Sequence, residues 1–159
     1  MRNDLRRWAG PIPAPSAADL ADRYAASQLV KVYALGIDER DYALTRSVFS
    51  DDAVVEGSNR SGPIDEYLPE VYGGAAAYAA TQHNMTNQHV ELNGDTALVW
   101  SDAIAVHKGE PADAQSDLTM GVQYRDTCRR FEDGWRITQR SVVVRWIEGT
   151  LPASDDTDA

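Results

Sequence analysis

The stretch Thr81–His107, "TQHNMTNQHVELNGDTALVWSDAIAVH", reads as two long strands joined at Asn93-Gly94. Asn-Gly supplies the positive φ angles that a tight hairpin turn requires. Two more strands are predicted to follow, over Asp117–Phe131 and Trp135–Glu148, with Asp133-Gly134 as the second tight turn. The C-terminal half of the chain is therefore predicted to be an antiparallel meander of long strands.

In the part of the chain before these strands, apolar residues recur at the spacing of an α-helix. Ser16 is the predicted cap of a helix that begins at Ala17 and ends at Gly36. The residues predicted to face inward recur every three or four positions. They are Ala21, Tyr24, Ala25, Gln28, Leu29, Val32 and Leu35.

Two shorter helices are predicted over Arg40–Val48 and Glu66–Ala79, with the stretch "DDAVVEG" between them as a short strand. Helices that come first and antiparallel strands that follow are typical of an α+β fold. A strongly curved sheet wrapped on these helices would enclose a cavity. The fold prediction is therefore a cone with a pocket.

Length, charge and cysteine content narrow the function classes. A chain of 159 residues suits one domain. The net charge of -10 opposes binding to nucleic acid or to an anionic membrane, because phosphate groups would be repelled. The single cysteine, Cys128, excludes an internal disulfide and fits a reducing cytosol. We expect an N-terminal arm over 1–16, a domain over 17–149 and a disordered acidic tail over 150–159, in the cytoplasm.

Three segments, together with this order of elements, carry a family resemblance. They are "VYALGIDERDYALTRSVFSDDAVVEG", "TQHNMTNQHVELNGDTALV" and "YRDTCRRFEDGWRITQRSVVVRW". The chain resembles the SnoaL-like group of the NTF2-like superfamily over about 17–149. The resemblance implies an α+β cone with a deep pocket, and a homo-oligomer that is a trimer or a dimer.

A more selective resemblance concerns Asp38 and His83. The pair looks like the Asp/His dyad of the lyase branch, represented by scytalone dehydratase, bile-acid 7α-dehydratase and hexachlorocyclohexane dehydrochlorinase. The local pattern "HNMTN" is close to that of the dehydrochlorinase. Tyr33, five residues before Asp38, looks like the tyrosine of the bile-acid enzyme. Arg145 is offset by one residue from the arginine expected in the last strand.

Such a dyad suits an elimination. Neutral imidazole can take a carbon-bound proton near pH 7, and a carboxylate on its other ring nitrogen fixes the tautomer. His83 is then the predicted base and Asp38 its orienting partner, with Tyr33 and Arg145 as helpers that stabilise developing charge. No cofactor or metal is required. The predicted contacts to the substrate are Tyr42, Asn87, Trp100 and Tyr124.

The resemblance favours a dehydratase that acts on a mainly apolar hydroxylated molecule, such as a steroid or polyketide. Loss of halide, isomerisation or cyclisation begins with the same proton abstraction and stays open. So does a small-molecule binding module without catalysis.

The same residues also have structural interpretations. Asp38 could cap the second helix, His83 could be an ordinary strand residue, and Tyr33 could belong to the core. A metal site is disfavoured, because His83 and His89 on one face of an extended strand would lie roughly 20 Å apart, at about 3.3 Å per residue. His107 ends the next strand without a helical partner histidine.

Overall fold

The computed structural model describes residues 9–58, 60–110 and 117–151. The predicted acidic tail, from residue 152 onward, and the first eight residues of the predicted arm lie outside these ranges. Among the described residues, no helix combines the length and the apolar character needed to cross a membrane.

Helix α1 spans Ala17–Asp38 and begins as predicted. The hydroxyl of Ser16 accepts a hydrogen bond from the backbone N–H of Asp19 at 3.1 Å. The predicted end at Gly36 is wrong, since the helix continues for two residues. Gly36 is needed for packing instead, because a Cβ atom at this position would lie 2.2 Å from the hydroxyl oxygen of Thr45.

The predicted buried face of α1 is confirmed only in part, because Ala25, Leu29 and Val32 are half-buried against the core but other members of the face are not. Tyr24 is 65% exposed and Leu35 is 51% exposed. The residues that pack inward lie about one position further along the chain, which corresponds to a rotation of roughly 100° around the helix. They are Ala26, Val30, Tyr33, Ala34, Gly36 and Ile37. Because α1 is apolar on two adjacent faces, spacing alone does not select the face that the sheet covers.

Helix α2 spans Tyr42–Ser47 and α3 spans Ile64–Ala76. Both are shorter than predicted. The cap of α2 is Asp41, whose side chain accepts from the N–H of Leu44 at 2.9 Å. Asp38 therefore does not cap this helix, and its carboxylate is available for other contacts.

Six strands form one sheet in the order β2-β1-β6-β5-β4-β3. Strands β1 and β6 run parallel, and the other neighbours are antiparallel. The strands are β1 Phe49–Glu56, β2 Ser61–Pro63, β3 Ala80–Asn93, β4 Thr96–Lys108, β5 Leu118–Phe131 and β6 Gly134–Gly149. The four long strands agree with the prediction to within one residue at each end, whereas β2 was not predicted. The α+β fold with a curved, unclosed sheet is confirmed.

Three bulges decide which side chains face the helices. Strand β6 carries an extra residue at Thr138, because Thr127 pairs with Gln139 whereas the next residue, Cys128, pairs with Ile137. It carries a second extra residue at Arg145, because Gly121 pairs with Trp146 whereas Val122 pairs with Val144. Strand β3 carries one near Asn87, which has a φ of 47°. An extra residue reverses the alternation of side chains beyond it.

Without a bulge, one face of β6 would carry Trp135, Ile137, Gln139, Ser141, Val143 and Arg145, but the two bulges end this alternation beyond Ile137. Arg140 rather than Gln139 turns inward and is 1% exposed. The bulge in β3 likewise places His83 on the inner face and His89 on the outer face. The prediction that these two histidines share a face is wrong.

Arg140 forms a closed ion pair inside the fold. Its Nε and Nη2 atoms donate to the two carboxylate oxygens of Asp126 at 2.7 and 2.8 Å. The guanidinium carbon lies 4.2 Å from the ring centre of Tyr33, 4.6 Å from that of Tyr124 and 5.1 Å from that of Phe49. Burial disfavours the charge, but the attraction and hydrogen bonds of Asp126 outweigh it and raise the pKa of Arg140 above its usual value.

Candidate active site

Asp38 and His83 are in direct contact where α1 ends beside β3. The Oδ1 atom of Asp38 lies 2.7 Å from Nδ1 of His83. Its Oδ2 atom accepts from the backbone N–H of His83 at 2.8 Å. The hydroxyl of Thr81 donates to Oδ1 at 3.0 Å. Three hydrogen bonds thus fix the carboxylate relative to the strand that carries the imidazole.

The surrounding backbone holds this arrangement in place. Arg40 has a φ of 59°, and its guanidinium donates to the carbonyl oxygen of Tyr78 at 3.3 Å. This contact ties the turn after α1 to the segment just before β3. The hydroxyl of Tyr72 on α3 donates to the carbonyl oxygen of Gly36 at 3.0 Å. Hydrogen bonds therefore fix the end of α1 to the segment before β3 and to α3.

The electrostatics of the pair define its tautomer. Burial alone would raise the pKa of Asp38, but hydrogen bonds from the His83 side chain and backbone lower it below its usual value. The carboxylate is ionised near pH 7 and can only accept hydrogen bonds. Nδ1 of a neutral His83 must then carry the proton, which leaves Nε2 unprotonated and able to act as a base.

His83 lies in the wall of a pocket of about 190 Å³. Its side chain is 9% exposed, and the structure gives its Nε2 no partner among the described residues. The apolar part of the wall comes from α1, α3 and β5 and from a residue that follows β6. It consists of Ile37, Val71, Gly74, Ala75, Leu118, Met120 and Leu151. A histidine whose Nδ1 atom is held by a carboxylate therefore borders a mostly apolar space.

Two further polar residues belong to the pocket wall, His107 and Tyr78. The ring of His107 lies 5.9 Å from that of His83, and the ring of Tyr78 lies 4.9 Å from that of His107. Burial lowers the pKa of His107, and the nearby His83 lowers it further. Burial raises the pKa of Tyr78. Both side chains are therefore neutral near pH 7.

The sequence did not reveal these two residues. If the register of the Asn93-Gly94 turn is continued without a bulge, His107 pairs with Gln82 and faces away from His83. In the structure His107 pairs with Thr81 instead, because the bulge in β3 shifts the register by one residue. A signal for this shift exists only in the polar run around Asn87.

The other predicted site residues do not meet at this pocket. Tyr33 and Tyr124 pack on the Arg140 guanidinium in the core. Arg145 lies at a bulge and contacts Gln123, on the outer side of the sheet, at 3.5 Å. Its predicted place beside the dyad is wrong.

The remaining three predicted contacts also lie elsewhere. Asn87 donates to Asp102 at 3.2 Å on the outer face. Trp100 lies on the face opposite that of Val99, beneath the guanidinium of Arg125 at 4.6 Å. Tyr42 is 40% exposed and its ring lies 5.3 Å from that of Tyr72. Of the predicted site residues, only Asp38 and His83 meet where α1 ends beside β3.

Metal ligation has no geometric basis in the described part of the chain. No three or more side chains of His, Cys, Asp or Glu gather there in an arrangement that could hold an ion.

Comparisons with known proteins agree with the fold. The sequence profile of the SnoaL-like domain matches residues 18–141. An uncharacterized protein of Mycobacterium tuberculosis is 33% identical over 132 residues, which cover 79% of this chain and 86% of that protein.

Solved structures show the same architecture under different functional names. A Novosphingobium aromaticivorans protein assigned as a scytalone dehydratase has a TM-score of 0.74 at 19% identity, and the match covers 89% of this chain and 97% of that one. A protein of the same species assigned as an aromatic ring hydroxylase has a TM-score of 0.73 at 26% identity, with 87% and 97% covered. The hexachlorocyclohexane dehydrochlorinase of Novosphingobium barchaimii has a TM-score of 0.71 at 17% identity, with 82% and 90% covered. One fold thus serves several chemistries, so the site must decide between them.

Proposed function

This chain belongs to the SnoaL-like domain family of the NTF2-like superfamily, and we propose that it is a cofactor-independent lyase, specifically a dehydratase. The observation that carries the proposal is the contact between Asp38 and His83 at the wall of an apolar pocket. Its lyase-type structural neighbours are consistent with this chemistry.

The proposed reaction removes water from two adjacent carbons. Nε2 of His83 takes the proton from one carbon, and the electron pair of that C–H bond forms the double bond. The C–O bond at the neighbouring carbon breaks, and the departing hydroxide takes the proton from the imidazolium of His83 and leaves as water, which restores the neutral base. Asp38 stabilises the imidazolium that forms on His83 through the 2.7 Å contact at Nδ1.

The pocket wall supports a mainly apolar hydroxylated substrate, such as a steroid or polyketide. Most of its lining is aliphatic, and burial of apolar surface supplies about 25 cal/mol per Å² of binding free energy before the costs of association. The described wall also contains Glu70, but this carboxylate is paired with Arg60. A charged substrate therefore has no evident counter-ion in the wall.

The proposal is tested with a panel of apolar alcohols, in the presence of a chelator and without added cofactor. Loss of water is followed by mass spectrometry, and binding is followed by NMR. For a converted compound, His83→Ala and Asp38→Asn are expected to lower the rate by about 10²- to 10⁴-fold, the usual contribution of a general base. Unchanged rates in both variants would reject the dyad mechanism.

Two matched controls separate this effect from general damage. His89→Ala removes a histidine of the same strand that faces outward. Asp41→Asn changes a carboxylate three residues from Asp38 and keeps a side chain that can cap α2. Both variants are expected to retain the wild-type rate.

The alternatives are separated by the same panel. Loss of halide, isomerisation or cyclisation would also depend on His83. Loss of hydrogen halide would change the mass of the compound by a different amount from loss of water, and isomerisation or cyclisation would leave the mass unchanged. A compound that binds tightly and stays unchanged during long incubation would instead support a binding module. A binding module is the second candidate function, because structural neighbours with the same fold carry different functional assignments and the fold alone does not imply catalysis.

We also propose that the domain spans 17–149 and works in the cytoplasm as a homo-oligomer, either a dimer or a trimer. The outer face of the sheet supports association, because Ile104 is 43% exposed and Trp146 is 47% exposed there. Light scattering on the full chain would give the number of copies, and a monomer at all concentrations would reject the proposal.

A further inference from the structure

Two polar atoms in the pocket wall have no hydrogen-bond partner among the described residues. They are the hydroxyl oxygen of Tyr78 and Nδ1 of His107. Tyr78 is 6% exposed. The two rings lie 4.9 Å apart, and the ring of His107 lies 5.9 Å from the ring of His83. Buried polar atoms are nearly always paired in proteins, so two orphans in one pocket wall require an explanation.

The hydrogen-bonding roles of the two atoms are complementary. His107 makes a hydrogen bond with the backbone of Leu118 that raises its pKa, as donation to a carbonyl group does. Because Nδ1 has no partner, Nε2 is the ring nitrogen left for this contact, and a neutral ring that donates through Nε2 has Nδ1 as its acceptor. The hydroxyl of Tyr78 is available as a donor. A ligand group that accepts one hydrogen bond and donates another would satisfy both atoms.

The charge of the surroundings further restricts which ligand group can bind beside Tyr78 and His107. Tyr78 and His107 are both neutral near pH 7, and the wall around them is mostly aliphatic. A carboxylate or an ammonium group would lose its hydration without gaining an opposite charge from this pair. A neutral hydroxyl would lose less, and it has the required acceptor and donor.

We propose that Tyr78 and His107 form a hydroxyl-binding subsite that selects neutral alcohols for the pocket. Tyr78 donates to the ligand oxygen, and the ligand O–H donates to Nδ1 of His107. The subsite concerns the same pocket as the proposed dehydratase and names the group that it recognises. It requires no turnover, so it can be tested independently of the reaction.

Binding at this subsite involves a small rearrangement. In the structure both atoms are covered, so a ligand reaches them only when one or both side chains rotate towards the pocket. Rotations of this kind are common when a ligand or partner binds. The two unpaired atoms favour the rotation, because each gains a hydrogen bond that it lacks in the free protein.

The test uses five small probes with one carbon skeleton: indane, 2-indanol, 2-indanone, 2-aminoindane and indane-2-carboxylate. Dissociation constants are measured at pH 7 by NMR titration of the full chain. The expected order of affinity is 2-indanol, then 2-indanone, then indane, with the two charged probes weakest. Equal affinity for 2-indanol and indane, or tighter binding of a charged probe, would overturn the proposal.

Two variants assign the preference to the two atoms. Tyr78→Phe is expected to weaken 2-indanol and 2-indanone by about two- to tenfold each, the effect of one neutral hydrogen bond, and to leave indane unchanged. His107→Phe is expected to weaken 2-indanol by a similar factor and to leave 2-indanone unchanged, because a ketone has no proton to donate to Nδ1. Tyr24→Phe, at a tyrosine that is 65% exposed, is the control and should bind all probes as the wild type does.

A structural role would give a different result. If either residue served only to pack the wall, its replacement would change the affinity for indane and 2-indanol by the same factor, which would overturn the proposal. Thermal unfolding provides a second readout, because Tyr78→Phe removes a hydroxyl without a partner and should not lower Tm. Loss of the hydroxyl preference with an intact dyad reaction, or the reverse, shows which of the two proposals fails.

Discussion

The fold contains two buried pairs of a carboxylate and a basic side chain, and they differ in what surrounds them. Asp126 and Arg140 are 2% and 1% exposed, and aromatic rings cover the guanidinium. Asp38 and His83 have side chains that are 20% and 9% exposed, and His83 borders the pocket. The first pair is closed on all sides, whereas the second leaves one ring nitrogen towards a space that a ligand can enter.

The surroundings of the two pairs, rather than their contact distances, indicate which pair is structural and which is a candidate for catalysis. Both pairs have short contacts of 2.7 Å, so distance alone does not distinguish them. The two pairs are distinguished by whether a ligand can reach the basic side chain, as it can for Nε2 of His83 at the pocket. A change in the closed pair should therefore appear mainly in stability, and a change in the open pair mainly in activity.

The largest expected effect on stability comes from Arg140→Met. The substitution leaves the carboxylate of Asp126 buried without its partner, and removal of one member of a buried ion pair costs about 3–5 kcal/mol. Urea unfolding measures the loss. Lys108→Met is the control, because Lys108 and its partner Asp117 are both more than half exposed, and exposed pairs contribute under about 1 kcal/mol.

A double variant sharpens this result. Replacing Arg140 with Met and Asp126 with Leu together removes both charges, and the protein should regain most of the lost stability. If the single and double variants were equally destabilised, the damage would come from packing rather than from the unpaired charge.

Gly36→Ala should have the next largest effect. Its Cβ would lie 2.2 Å from the hydroxyl oxygen and 2.8 Å from the backbone nitrogen of Thr45, and such overpacking costs about 1–3 kcal/mol. Gly73→Ala is the matched control in α3, where a Cβ meets no atom within 4 Å. The control should stabilise the helix by about 0.5–1 kcal/mol. Similar unfolding curves for the two variants would contradict close packing between α1 and α2.

Asp38→Asn should reduce stability by about 1 kcal/mol near pH 7, because hydrogen bonds to the ionised carboxylate are weakened. The folded protein lowers the pKa of Asp38 below its usual 3.8, so this contribution is present above that pH and is lost as the pH falls through the folded pKa. The difference between wild type and variant should therefore shrink on acidification. Urea unfolding from pH 7 to pH 3 measures it, and a difference that grows on acidification would contradict the assigned contacts.

Arg145→Ala should have the smallest effect. Arg145 lies on the outer side of the sheet, and its guanidinium donates a hydrogen bond to the side chain of Gln123 at 3.5 Å. The free energy of unfolding is expected to change by less than about 0.5 kcal/mol, and the rate of substrate conversion should not change. A rate loss as large as that of His83→Ala would show that the outer face takes part in the site.

The order of elements was predictable from local signals. The turns at Asn93-Gly94 and Asp133-Gly134 determine where the long strands begin and end, and the cap at Ser16 determines where α1 begins. These signals depend on one or two residues each. The proximity of Asp38 to His83 was predicted from the family resemblance, and the structure contains the contact.

The faces of the strands were not predictable in the same way. A bulge adds one residue and reverses every side chain beyond it, but leaves hydrophobic composition almost unchanged. Three bulges therefore placed Arg140 inside, Arg145 outside and His107 beside His83, each against the simple alternation. For these residues, the side of the sheet on which each side chain lies could be determined only from the structure.

The most direct test of the dyad mechanism is a crystal structure of the Asp38→Asn variant with a compound that the wild type converts. The mechanism predicts a carbon atom with a removable proton within about 3.5 Å of Nε2 of His83, the separation at which reaction can occur. A compound bound on the outer face, or in the pocket with no such carbon near Nε2, would contradict it.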